Sequence, residues 1–196
     1  MRAFPILMVY GGPNGSGKST LTKQIPPIGS YVNADEIQRK LGCSPLEAAQ
    51  NAEQTREALL SEGRSFSIES VLSTPRNFDL MHRAGTIGYR RVCLYMVTND
   101  PEINKNRVAA RVAKGGNAVP VDRIVPRYWR ALSMLPQLFE VCDECYIFDN
   151  SMERGKGEPA CIVSWVDGVL ELFPSPVWPR EKLEALVTGK YTPKSI

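Results

Sequence analysis

Phe4-Pro5-Ile6-Leu7-Met8-Val9-Tyr10-Gly11-Gly12-Pro13-Asn14-Gly15-Ser16-Gly17-Lys18-Ser19-Thr20 is the stretch that decides the fold. Phe4–Tyr10 is an apolar run that reads as a strand. Gly12 to Ser19 satisfies the pattern G-x-x-x-x-G-K-[ST], and Lys18–Gln24 reads as the helix that follows, stopped by Pro26-Pro27. Strand, loop and helix in that order give the pattern its physical meaning. Glycines let the backbone curl so that successive N–H groups converge on phosphate oxygens, and the helix N-terminus adds its positive end. The loop Gly12, Pro13, Asn14, Gly15, Ser16, Gly17, Lys18 and Ser19, with Thr20 beyond it, is therefore expected to hold the phosphates of a purine nucleotide, ATP first. Lys18 would reach the β- and γ-phosphates and the Ser19 hydroxyl would ligate Mg²⁺.

Outward from the loop, short apolar runs alternate with longer helical stretches, as in a parallel α/β sheet. Strands are expected at Ser30–Asn33, Ser65–Val71, Arg91–Thr98 and Tyr146–Phe148. Helices are expected at Asp35–Leu41, from Pro45 to about Glu62, at Phe78–Gly85 and at Glu102–Lys114. A further helical stretch spans Val121–Phe139, interrupted at Pro126 and Pro136. Ser44-Pro45-Leu46-Glu47 combines an N-cap, a first-turn proline and a capping-box glutamate, with Gly63 as the stop. Met152–Pro159 reads as a polar loop. Ala160–Leu172 alternates around an Asp167-Gly168 turn as a hairpin, and Pro179–Val187 closes the chain as a helix. The whole predicts one domain over residues 1–196. It is a P-loop NTPase three-layer α/β/α fold with a mostly parallel central sheet, a lid-like segment over about 102–130, and a C-terminal hairpin plus helix over about 160–188.

The bulk composition narrows the class. The chain has 196 residues, enough for one domain with a sizeable core, and its 43% hydrophobic and 23% charged content is ordinary for a globular protein. No apolar run approaches the roughly 18 residues of a membrane span. The N-terminal run leads straight into the glycine loop, so it reads as a core strand and not a leader. With 24 Lys+Arg against 21 Asp+Glu, charge gives no argument for nucleic acid. The five cysteines, an odd number, read as reduced thiols. Cys142-x-x-Cys145 lacks the second pair or the histidines a metal would need, the single His being His82, and reads as two half-buried thiols.

A phosphate loop does not by itself choose a reaction. There is no NKxD motif to read guanine. There is no long strand ending in paired acids either, since the acid of Tyr95-Met96-Val97-Thr98-Asn99-Asp100 comes late. The remaining features suit a small-molecule kinase. Asp35, just after the second strand, lies where carboxyl ends of strands converge on a ligand crevice, and could accept the proton of an attacking hydroxyl. Read alone, Asp35 with Gln38 also resembles a capping box. Glu69 ends the third strand and could hold a substrate hydroxyl or a metal-bound water. Arg107 and Arg111 share one helix face, with Arg127 and Arg130 on the next helix. A guanidinium from this set would neutralise charge on the transferred phosphoryl, and Gly115-Gly116 would let the segment move as a lid.

Taken together these landmarks resemble the zeta-toxin family of P-loop kinases, in its small stand-alone bacterial form. The resemblance rests on Gly11 to Thr20, Val32-Asn33-Ala34-Asp35-Glu36-Ile37, and Ser65-Phe66-Ser67-Ile68-Glu69-Ser70-Val71-Leu72-Ser73. It continues through Gly88-Tyr89, Arg107 through Gly116 with Val119-Pro120, Arg127-Tyr128 and Asp149-Asn150-Ser151. It implies a cytoplasmic, ATP- and Mg²⁺-dependent kinase acting on a hydroxyl of a UDP-activated amino sugar such as UDP-N-acetylglucosamine. Asp35 would be the base. Asn33, Glu69 and Ser73 would stand on the substrate side, an arginine of the 107–130 segment would clamp the γ-phosphate, and an antitoxin would be the protein partner. The chain departs from the family at Val71, where a threonine is usual, at Asn117, where a histidine is frequent, and in having no extended substrate-binding insertion. The acceptor stays open between a UDP-sugar, a nucleoside, a nucleic-acid 5′-end and another metabolite. A nucleotide-binding toxin–antitoxin module with little catalysis is the other reading.

Overall fold

The computed structural model describes residues 4–152 and 157–191. The loop-bearing strand β1 (Ile6–Gly11) sits inside a seven-stranded sheet of order β2-β3-β1-β4-β5-β6-β7. Strands β2 (Ser30–Val32), β3 (Phe66–Ser70), β4 (Arg90–Val97) and β5 (Glu144–Asp149) run parallel to it. The hairpin β6 (Ala160–Val166) and β7 (Val169–Leu172) adds an antiparallel edge. A parallel strand is covered on both faces, so it reads as a continuous apolar run. In β1 and β4 the alternation sorts the side chains. Leu7, Val9, Cys93, Tyr95 and Val97 join the larger core, while Met8, Tyr10, Val92, Leu94 and Met96 pack with Leu21 on the other face. Helix α1 (Lys18–Gln24) covers that second face. Helices α3 (Pro45–Ser61), α4 (Arg76–Thr86), α6 (Val121–Ser133), α7 (Leu138–Val141) and α8 (Arg180–Val187) feed the first. The result is the expected three-layer α/β/α fold.

Local chemistry fixes the element ends. At α3 both halves of the capping box form, with Glu47 N–H donating to Ser44 Oγ at 3.2 Å and Ser44 N–H to Glu47 Oε2 at 2.8 Å. At α2 (Ala34–Leu41) the cap is Asn33, whose Oδ1 accepts from Asp35 N–H at 2.9 Å. Asp35 therefore does not cap the helix, and its carboxylate is left over for other work. Asp100 caps α5 (Pro101–Val112) by accepting from Glu102 N–H at 2.8 Å, so the late acid of strand β4 is structural.

Two expectations are corrected. Pro126 does not interrupt α6, which runs through it from Val121 to Ser133. The proline forfeits one helical N–H bond, but burial of Ile124, Tyr128, Ala131 and Leu132 holds the helix together. Pro136 instead opens a single 3₁₀ turn, Leu135–Gln137. Cys142 and Cys145 are not half-buried but buried, beside Cys93 in the core, and all five cysteines are free thiols. The polar stretch expected at Met152–Pro159 lies partly outside the described residues. Asp167 and Gly168, with φ of 47° and 93°, make the tight turn of the hairpin. No helix among the described residues is long and apolar enough to cross a membrane.

Candidate active site

Every strand of the parallel set ends on the same rim of the sheet, and Lys18, Asn33, Asp35 and Glu69 gather there. Lys18, the first residue of α1, is 7% exposed. Its Nζ donates to Gly12 O at 2.8 Å and Pro13 O at 3.2 Å, and lies 3.8 Å from Glu69 Oε1. Burial pushes the ammonium below its ordinary pKa. The Glu69 carboxylate opposes that shift, the Arg111 guanidinium adds to it, and Asp35 opposes it. Lys18 thus feels Glu69, Arg111 and Asp35 at once, although they come from β3, α5 and α2. Register explains Glu69: it pairs with Tyr10 of β1, one residue before the strand gives way to the loop.

Glu69 is held from its far side. Tyr31 donates its hydroxyl to Glu69 Oε2 at 2.9 Å, and Asn33 Nδ2 donates to the same oxygen at 3.2 Å and to Tyr31 Oη at 3.1 Å. Burial, then the Glu69 charge, raises the Tyr31 phenol. Asn33 therefore works with both ends, capping α2 through its oxygen and orienting Glu69 through its nitrogen. Tyr31 escaped the sequence reading. The available signal was its position two residues before Asn33, which on a strand places both on one face.

The arginines divide into three groups. Arg107 donates to Asn150 O at 2.8 Å and Met152 O at 2.7 Å, tying α5 to the segment after β5. Arg111 is exposed, donates to Asn117 O at 2.9 Å, and is the arginine whose charge acts on Lys18. Arg127 lies elsewhere, in a cleft of about 770 Å³ walled by Ala34, Val71, Ser73 and, from α6, Arg123 and Arg130. Asp122 is the lone acid among its lining residues. Arg123 was not anticipated; its spacing of four from Arg127 on one helix was the readable signal. Asp35 follows the cleft-lining Ala34, is exposed, and its charge acts on Lys18.

The loop fits nucleotide phosphates on its own features. Gly12 has φ of 133°, and a Cβ there would come within 2.3 Å of Met96 O. Ser16 Oγ and Asn14 Oδ1 are buried without a hydrogen-bond partner. Ser19 and Thr20 are exposed on the first turn of α1. Among the described residues no group of three His, Cys, Asp or Glu side chains could hold a metal, so a cation here would lean on the Ser19 hydroxyl and on phosphate oxygens, the pattern Mg²⁺ favours.

No protein-family model matches the sequence. An uncharacterized protein of Haemophilus influenzae is 30% identical over 133 residues, which is 61% of this chain and 89% of that protein. The chain belongs to the family of that protein. Among solved structures, a chain of the AvrRxo1-ORF1:-ORF2 complex with ATP matches with a TM-score of 0.74 at 16% identity, over 98% of this chain and 66% of that one. A chain of the PezAT chromosomal toxin–antitoxin system of Streptococcus pneumoniae matches with a TM-score of 0.55 at 19% identity, over 98% and 82%. At these identities the likeness is one of fold: the chain shares its α/β architecture with both structures. The chain spans just under two thirds of the length of the AvrRxo1 chains it matches.

Proposed function

We propose that this protein is an ATP-dependent kinase that phosphorylates a hydroxyl of a small, phosphate-bearing molecule. The observation that carries the reading is the position of Asp35. Its charge acts on the phosphate-loop lysine, and its chain neighbour Ala34 lines an arginine-walled cleft of about 770 Å³, room for a nucleotide-sized acceptor. Gly12 to Thr20 would bind the triphosphate, with Lys18 neutralising the β- and γ-phosphates and Ser19 holding Mg²⁺. The cation, when bound, supplies charge neutralisation between the β- and γ-oxygens. Asp35 would take the proton from the acceptor hydroxyl as that oxygen attacks.

Arg111, already within electrostatic reach of Lys18, is the arginine best supported as the clamp on the transferred phosphoryl. Arg107, bound to the carbonyls after β5, would instead set the height of α5 over the nucleotide. Arg123, Arg127 and Arg130 form a cationic face suited to acceptor phosphates, which keeps a UDP-activated amino sugar, UDP-N-acetylglucosamine in particular, first among acceptors. Ser73 and Asn33 would meet its hydroxyls. A cytoplasmic location belongs to the same proposal; among the described residues no helix is long and apolar enough to cross a membrane. The matched AvrRxo1-ORF1:AvrRxo1-ORF2 structure pairs two proteins and the PezAT structure belongs to a toxin–antitoxin system, which supports a protein antitoxin as partner.

Transfer of label from γ-labelled ATP to a panel of acceptors tests this reading. The expected result is one labelled product, formed from a phosphate-bearing acceptor and lost in Lys18→Ala. Label in no acceptor, with wild-type protein that binds ATP, would point to the non-catalytic module.

A further inference from the structure

The motif Asp149-Asn150-Ser151 has no part in the chemistry above, yet it is built into the phosphate loop. Asn150 Nδ2 donates to Ser16 O at 2.7 Å. From the other side, Asn104 Nδ2 on α5 donates to Asn14 O at 2.8 Å. Two asparagines from separate elements thus hold two alternate carbonyls of the same loop. The fit is close: a Cβ on Gly17 would fall 2.2 Å from Asn150 Nδ2, and one on Gly15 2.4 Å from Asn104 O.

Both asparagines are themselves fixed. Asn104 is fully buried and its Oδ1 accepts from the Thr98 hydroxyl, while Thr98 O accepts from Tyr128 Oη at 2.6 Å. The neighbour of Asn150, Asp149, is buried and accepts from the indole N–H of Trp178 at 2.9 Å and from Ser151 N–H at 3.1 Å. The carbonyl of Asn150 is the one that Arg107 grips.

In a trans peptide the carbonyl of one residue points opposite to the N–H of the next. Holding Asn14 O towards α5 turns the N–H of Gly15 away from α5, and holding Ser16 O towards Asn150 turns away the N–H of Gly17. A loop that gathers phosphate oxygens needs its N–H groups turned inward in this way. We infer that Asn150 and Asn104 are positioning residues which pre-set the phosphate loop for nucleotide, and that this is the purpose of the Asp149-Asn150-Ser151 motif. The inference rests on the nucleotide-binding half of the functional reading and on nothing about the acceptor.

The test is calorimetric binding of Mg·ATP, inorganic tripolyphosphate and adenosine to wild type, N150A and N150D. Loss of one charge-proximal hydrogen bond predicts roughly tenfold weaker Mg·ATP and tripolyphosphate binding in N150A, with adenosine unchanged. N150D keeps the shape, loses the donor and, when ionised, adds a negative charge facing the Ser16 carbonyl. It should bind Mg·ATP weakly at about pH 8. It should approach wild type at about pH 5, where a carboxyl pressed against a carbonyl oxygen regains a proton to donate. A purely structural role would move none of these ratios. Equal Mg·ATP affinity in N150A and wild type overturns the inference, as does a loss shared equally by adenosine or an N150D-to-wild-type ratio indifferent to pH. Failure of both variants to fold at either pH assigns Asn150 to folding alone and also overturns it. A wild-type protein that binds no Mg·ATP defeats the functional reading itself, and the inference with it.

Discussion

Lys18 is a buried ammonium satisfied by two carbonyls of its own loop and by the carboxylate of Glu69. At this scale the arginines carry the sharpest expectations, because the same residue type is asked to do different work at different places. Arg127→Ala should raise the acceptor KM about tenfold or more while leaving the ATP KM within about twofold, since a charge-assisted bond to an acceptor phosphate is lost. Arg111→Ala should instead lower kcat, by on the order of 10²-fold or more, with little change in acceptor KM. Steady-state kinetics with both substrates varied separates the two. The sequence could not make this division: Arg107 and Arg111 share a helix face, and the bonds of Arg107 to Asn150 O and Met152 O are set by tertiary structure. Asp35 was readable as an acid at a strand end, but its rival role as a cap fell only when Asn33 Oδ1 was found on its N–H.

At the level of elements, the phosphate loop owes its shape to what lies beneath it. Gly12→Ala would put a methyl 2.3 Å from Met96 O, a backbone atom in a central strand that cannot move aside, at a φ of 133°. Thermal unfolding should show a loss of more than about 2 kcal/mol, with nucleotide binding abolished. Tyr128→Phe, which removes the donor to Thr98 O under the same loop, should cost about 1–2 kcal/mol by denaturant titration. Elements were legible wherever local chemistry and burial agree: the Ser44 capping box, the Asp167-Gly168 turn and the apolar run of β1 all stand where the sequence puts them. Helix α6 was misread because proline's local cost is visible in sequence and the burial of Ile124, Tyr128, Ala131 and Leu132 that outweighs it is not. The arginine-walled cleft was invisible for a related reason. Its walls come from α2, α3, the β3–α4 loop and α6, and no local pattern brings these together.

Across the whole molecule, chemistry and stability occupy opposite ends of the parallel strands. At the end remote from the loop, Arg91 grips Asp143 through Nε at 3.0 Å and Nη2 at 2.8 Å and holds its carboxyl below the usual range. A depressed carboxyl stabilises the fold fully above its unfolded value of about 3.9, and the contribution is lost as pH falls through the lower folded-state value. Asp143→Asn should therefore lower Tm at neutral pH and flatten the acid limb of a Tm-against-pH curve; an unchanged acid limb would show that other groups set it. The rim at the other end carries Lys18, Glu69 and Asp35, the arginine cleft begins at Ala34 beside Asp35, and the proposed function depends on Asp35 acting there as a base. The decisive measurement pairs kcat with the Kd for Mg·ATP in Asp35→Asn, using the acceptor that the labelling panel identifies. Removing a general base predicts a fall in kcat of about 10²–10⁴-fold with the Mg·ATP Kd within about threefold of wild type. An Asp35→Asn enzyme that turns over at the wild-type rate would contradict the account.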